Sequence, residues 1–200
     1  MPVNFFAKPC NNPQGNCLGA EIECLQAIRY ESFGISDVDG GDGLPARVTS
    51  NPNPETDLVV INRSGTDVFF KAVDWCVDIR RTGTYNLDEA ERRVEQFLSD
   101  CGPDGYLIKR CEGFLQFGSS IVFVEVKNRP RGKWLKDARE KFEETILSFK
   151  EHHPELTAQI KRPVLCNPSF RGAHQNETVQ KRILKDKIGL DFVRQKSIRI

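Results

Sequence analysis

The chain has 200 residues, 38% of them apolar and 28% charged, a balance that fits one ordinary globular domain and excludes disorder throughout. No apolar run approaches the roughly 20 residues needed to cross a bilayer, and Met1 to Cys10 lacks a basic leader with a long apolar stretch. A soluble, cytoplasmic protein that makes no membrane contact is therefore expected. The net charge of +1 conceals a split: residues 1–100 carry 9 Lys and Arg against 16 Asp and Glu, whereas residues 101–200 carry 20 against 12. A polyanion would dock on the basic half, although the same split would also serve to pair one half of the fold with the other.

Residues 1–56 are rich in Asn, Pro, Gly and Asp and are expected to form a loop-rich segment with one helix, over residues 21–33. Cys10, Cys17 and Cys24 recur every seven positions, but Pro13 and Gly15 interrupt any helix that would align them. The seven cysteines, with no C-x-x-C pair, read as reduced thiols. Residues 37–53 read as loop. Asp37, Asp39 and Asp42 lack the closing Glu of a calcium loop and read as a solvated turn.

Residues 57–200 are expected to form the main domain. The β-branched and aromatic runs 58–62 and 66–79, with Ser64 and Gly65 between them, predict a hairpin. Asn86 caps a predicted helix whose stripe is Leu87, Ala90, Val94, Phe97 and Leu98. Two further strands, 106–117 and 121–127, flank Gly118 and Ser119, and a long helix over 133–151 follows, with Trp134, Leu135, Ala138, Phe142, Ile146 and Phe149 at helical spacing. A strand at 162–167, a helix over 176–188 closed by Gly189 and a last strand reaching Ile200 complete the order β, β, α, β, β, α, β, α, β. The fold class is α/β, a mixed central sheet flanked by helices.

The chemistry concentrates on one hairpin. Gly-Ser is a favoured two-residue II′ turn, which puts Phe117 opposite Ser120 and, counting back, Glu112 opposite Glu125. Opposed residues have Cβ atoms about 5 Å apart, and Lys127, two positions along, shares their face. The other face carries Leu115, Phe117, Val122, Val124 and Val126, an apolar set that supports this register. Two carboxylates so close call for a cation, and Mg²⁺ (or Mn²⁺) suits an oxygen donor set. A metal that lowers the pKa of its water, with an ammonium to stabilise a pentavalent phosphate, is equipment for hydrolysing a phosphodiester. The blander reading is a structural ion-pair cluster, since such networks mimic active sites.

The stretch Lys109-Arg110-Cys111-Glu112-Gly113-Phe114-Leu115, followed by Ile121-Val122-Phe123-Val124-Glu125-Val126-Lys127 and a helix, resembles the core of the PD-(D/E)xK superfamily, the restriction-endonuclease-like nucleases. The resemblance covers residues 57–200. It implies a restriction-endonuclease-like core and a Mg²⁺-dependent hydrolase acting on nucleic acid, with Glu112, Glu125 and Lys127 catalytic. The first acid of that motif is usually Asp, and Glu stands at 112. Asp104 is another candidate, because Pro103-Asp104 spells the first two letters of the motif, but its partner in the hairpin register would be Lys133, beyond the Glu-x-Lys strand. Many relatives place a Gln or Lys on the helix facing the site, and Lys141 holds that position. Some keep a further metal-linked Glu where Glu21 and Glu23 stand.

Asp74 and Asp78 would share a face of a regular 66–79 strand, from which one could serve as an auxiliary metal ligand. Arg129, Arg131, Lys133, Lys136 and Lys141, with Arg194, Lys196 and Arg199 at the end of the chain, are the expected phosphate contacts. His152 and His153 are expected in solvent beyond the helix end, and His174 in a polar loop. DNA is the expected partner, together with a second copy of the chain or a partner protein of a defence or repair system, as for many relatives. A catalytically lapsed binding or interaction domain is the alternative, motivated by Glu112.

Overall fold

The computed structural model describes residues 3–7, 24–37, 45–81, 106–128, 133–170 and 176–200. In chain order these make β1 (Leu25–Ile28), β2 (Ser32–Ser36), β3 (Arg47–Thr49), β4 (Leu58–Ile61), β5 (Val68–Ala72), β6 (Arg80–Arg81), β7 (Tyr106–Leu107), β8 (Gly113–Phe117) and β9 (Ser120–Val126), then helix α1 (Trp134–His152), a 3₁₀ segment (Pro154–Gln159), β10 (Val164–Cys166), helix α2 (Glu177–Ile188), β11 (Val193–Arg194) and β12 (Ser197–Arg199).

Gly118 has φ 51°, while Ser119 keeps an ordinary φ, which is the II′ arrangement. From that turn β8 and β9 run antiparallel with Phe117 opposite Ser120 and Gly113 opposite Val124, the register expected from the turn chemistry. Around this hairpin a mixed sheet forms in the order β1, β5, β8, β9, β10, β11, antiparallel as far as β9 and parallel beyond it. The direction changes where α1 carries the chain from β9 to β10, because parallel neighbours need a long crossover. A second mixed sheet has the order β12, β4, β2, β3, and β6 pairs with β7 in a short ribbon. The protein is mixed α/β.

Helix α1 buries the predicted stripe, and Phe149 meets Phe114 and Phe123 at ring-centroid distances of 5.6 and 5.3 Å. Strand alternation then places α1 over the hairpin face that also carries positions 112 and 125. On the opposite face Leu115, Val122, Val124 and Val126 are buried as well, so this part of the sheet is covered on both sides. Gly189, at φ 82°, closes α2 with a left-handed cap whose N–H donates to Lys185 O.

Several expectations change. Residues 24–33, part of the expected helix, are β1 and the start of β2: the three-residue spacing of Leu25 and Ile28 suits either state, and pairing with β5 and β4 decides it. The predicted 37–53 loop contains β3, too short to show alternation. The runs at 58–62 and 66–79 are not a hairpin. Gly65 does turn the chain (φ 65°), but β4 enters the second sheet and β5 the first, across a loop held by Asn62, whose side chain donates to Thr66 O. The expected 66–79 strand ends at Ala72, and the backbone coils at Val73, whose carbonyl accepts from Cys76 and Val77. The 106–117 strand breaks into β7 and β8, and the last strand into β11 and β12, which belong to different sheets. The predicted 86–98 helix lies outside the described residues.

His152 and His153 are half-buried rather than solvated. His152 Nδ1 lies 2.8 Å from Ser148 O; His153 packs among Phe5, Phe6 and Phe149, and Phe5 N–H donates to its Nε2 at 3.3 Å. Cys24, Cys76, Cys111 and Cys166 are buried free thiols, and Cys24 Sγ lies 3.3 Å from the ammonium of the fully buried Lys71, which also donates to Ala7 O. Cys10 and Cys17 lie outside the described residues.

Two outcomes follow from this packing. A Cβ at Gly113 would stand 2.3 Å from Lys71 O and 2.8 Å from the Phe70 ring, so Gly113→Ala is expected to destabilise the protein by about 1–3 kcal/mol. An unchanged urea midpoint would contradict that close approach. Burial, with His152 nearby, lowers the pKa of His153 despite Glu155. A folded-state pKa below the unfolded one gives stability that is complete above the ordinary 6.5 and lost as pH falls through the lower value. In an NMR titration His153 should titrate below 6.5 and carry the Phe5 amide shift with it; an elevated value would deny the hydrogen bond.

Candidate active site

Residues 108–112 leave the ladder before β8 begins, and their backbone groups find other partners, as buried groups must. Lys109 N–H donates to Glu144 Oε2 (2.7 Å) and Cys111 N–H to Thr145 Oγ1 (2.9 Å), both on α1. Glu112 N–H donates to Glu125 Oε2 at 3.0 Å. The carbonyls of Glu112 and Cys111 accept from Val73 and Asp74 N–H, which draws the coil after β5 to the same place. The main chain of Glu112 thus sits against the carboxylate of Glu125, one step beyond the last ladder pair.

The side chains converge. Glu125 is fully buried, with Oε1 2.7 Å from Lys127 Nζ and 3.3 Å from Lys141 Nζ. Neither contact is well aligned as a hydrogen bond, so Oε1 is compensated chiefly by the charge of the close Lys127 ammonium. Lys141 Nζ also lies 3.1 Å from Asp74 Oδ2 and 3.6 Å from Glu112 Oε1, so three carboxylates surround one ammonium. Arg110 holds the other side of Asp74 at 3.4 Å and donates to Val77 O. Asp137, four residues before Lys141 on α1, takes Lys127 at 3.2 Å. Asp74, Glu112, Glu125 and Asp137 thus face Arg110, Lys127 and Lys141, four acids against three bases, with Lys109 at the rim 3.9 Å from Asp137.

The electrostatics follow from that count. Burial, then the nearby Glu125, pushes the Glu112 carboxyl well above its ordinary range, with Asp74 and Asp37 adding to the effect and Lys141 opposing it. Burial works against the charged forms of Lys127 and Lys141, but Glu125 and the other acids outweigh it and hold both ammoniums above their ordinary values. Asp137 is lowered, its own burial being overcome by Lys127 and Lys141. Burial, with Glu125 beside it, raises the Cys111 thiol, so this cysteine stays protonated and is no nucleophile.

The hairpin acids Glu112 and Glu125, with Lys127, come together as their spacing foretold. Asp74 joins them, though from a coil and not from a strand face. Asp78 does not; it pairs with Arg80. Lys141, expected to face the site and to contact nucleic acid, is inserted among the acids. Asp104, Arg129, Arg131, Glu21, Glu23 and His174 lie outside the described residues. Lys133 is exposed, and Lys136, half-exposed, lies 3.6 Å from Glu140. Arg194, half-buried, pairs with Glu177, and Lys196 is exposed with its ammonium donating to Pro168 O. Asp137, Thr145 and Arg110 were not foreseen; the first two share the helix face of Lys141 at four-residue spacing, a signal available beside the apolar stripe.

Among the described residues, no group of three or more His, Cys, Asp or Glu side chains is placed to hold a metal ion as it stands, the three carboxylates being spread around the Lys141 ammonium. The donor set nevertheless fits a hard divalent cation: Asp74, Glu112 and Glu125 offer carboxylate oxygens around one cationic centre, and Glu125 Oε1 lacks an aligned donor.

A raised folded-state pKa means that the contribution of Glu112 is favourable below the unfolded pKa and lost as pH rises through the folded value, so ionising it opposes folding. Without metal, Glu112→Gln is expected to melt at a higher temperature than the wild type at neutral pH, with the difference shrinking as the pH is lowered. Destabilisation instead would mean that the charge is needed to balance Lys141. No protein-family model, curated protein or solved structure matches this chain.

Proposed function

We propose that the protein is a metal-dependent nuclease that hydrolyses phosphodiester bonds of nucleic acid, with DNA as the substrate, on a restriction-endonuclease-like core. The observation that carries this reading is the meeting of Asp74, Glu112 and Glu125 around one cationic point, with Lys127 beside it, at the end of a hairpin that leads into α1. The PD-(D/E)xK resemblance implies Glu112, Glu125 and Lys127 on a hairpin followed by a helix; Asp74, from the coil after β5, is an addition to that set. Asp74, Glu112 and Glu125 would hold Mg²⁺ or Mn²⁺, which when bound supplies a Lewis acid and lowers the pKa of a coordinated water.

The chain's own groups do the rest. Glu125 and Asp137 outweigh the burial of Lys127 and hold its ammonium above the ordinary value, so it offers a positive charge to the phosphate. Glu125 and Asp137 hold that ammonium from two sides, and the Lys127 N–H, donating to Cys166 O at 2.8 Å, fixes its backbone. Lys133 and Lys136, on the N-terminal side of α1, are the described bases suited to flanking phosphates, and each would add to the salt dependence of binding.

A second reading is a nuclease-fold domain that binds nucleic acid or a partner protein without cutting. Glu at 112 and the ammonium among the acids favour it. Plasmid, single-stranded DNA and RNA incubated with Mg²⁺, Mn²⁺ or EDTA separate the two. Metal-dependent cutting is expected, and Lys127→Ala should slow it by about 10²–10³-fold through loss of a preorganised charge. Cutting at an unchanged rate in that variant would defeat the assignment, and salt-sensitive binding without cutting would establish the second reading.

A further inference from the structure

Resting on the metal-site reading above, we infer that Lys141 is a built-in counter-cation occupying the metal position, and that a divalent ion enters only by exchanging with its ammonium. Asp74 Oδ2, Glu125 Oε1 and Glu112 Oε1 lie 3.1, 3.3 and 3.6 Å from Lys141 Nζ, and they come from three separate parts of the chain. No other described ammonium reaches more than one of them, Lys127 touching Glu125 alone.

The geometry makes the two cations exclusive. Mg²⁺ holds its oxygens at about 2.0–2.1 Å, so the acids must close in by about 1 to 1.6 Å, onto the point where the nitrogen now stands. A dication and an ammonium cannot share that volume, because their repulsion is strong in a site of low effective dielectric.

Lys141 has a place to go. Asp137 lies one helical turn back on α1 with its side chain 40% exposed, so the ammonium can swing toward it and toward water while the helix stays in place. Lys141 thus keeps the acid cluster intact without metal and sets a threshold for metal entry. Monovalent ions, which offer one charge for one, gain nothing by the exchange.

The test uses the full chain with Mn²⁺ as probe. Amine acylation read by mass spectrometry should label Lys141 slowly in EDTA and several-fold faster with saturating Mn²⁺. Isothermal titration should show Mn²⁺ binding about tenfold or more tightly to Lys141→Met, or to Lys141→Gln should the methionine variant fail to fold. Mn²⁺ bound by the wild type with Lys141 still protected, or with equal affinity in the variants, overturns the exchange and leaves the metal site standing. Absence of Mn²⁺ binding in all forms overturns both. Exchange without cutting of any nucleic acid upholds the inference and removes the nuclease alone.

Discussion

Everything in the site depends on one buried carboxylate. Glu125 has no exposure, and an ion removed from water costs several kcal/mol unless its surroundings compensate it. Two ammoniums and a main-chain N–H do so here. Those partners fix the neighbouring structure: Lys141 demands that α1 lie over the hairpin with the row Asp137, Lys141 and Thr145, beside its apolar stripe, turned to the acids, and the Glu112 N–H demands that the chain leave the ladder one step before β8. Asp74 is drawn in because its amide donates to Cys111 O and its carboxylate meets Lys141 and Arg110.

The hairpin was legible because its determinants are local. Gly118 sets the turn, the turn sets the register, and alternation carries that register out to Glu112 and Glu125. Helices α1 and α2 were legible for the same reason, through their spacing, Pro154 and Gly189. What escaped is non-local. Whether residues 24–36 coil or extend is decided by β5 and β4, and nothing around Leu58 or Val68 announces that they join different sheets. Asp74 could be named as a candidate but not placed, since its position follows from a coil closed by Val73 and from contacts with α1 and the segment before β8.

The uneven distribution of charge serves two ends. Much of the basic half is consumed internally: Arg139 pairs with Glu143 and Glu140, Lys150 donates to Ile188 O, Lys181 and Arg194 share Glu177, and Lys141 enters the acid cluster. Lys133, Lys161, Arg182, Lys185, Lys187 and Arg199 remain exposed. They lie on α1's entry, on α2 and on two strand ends, so the surplus is spread over the surface as well as gathered beside the acids.

The split of the final strand couples assembly of the two sheets. Ser197, Ile198 and Arg199 align with Val59, Val60 and Ile61, while Val193 and Arg194, only a few residues earlier, align with β10. Closing so large a loop is entropically slow, whereas β8 and β9 zip from a two-residue bend. The acids of the hairpin therefore meet early in folding, and the smaller sheet is completed only when the far end of the chain returns to it.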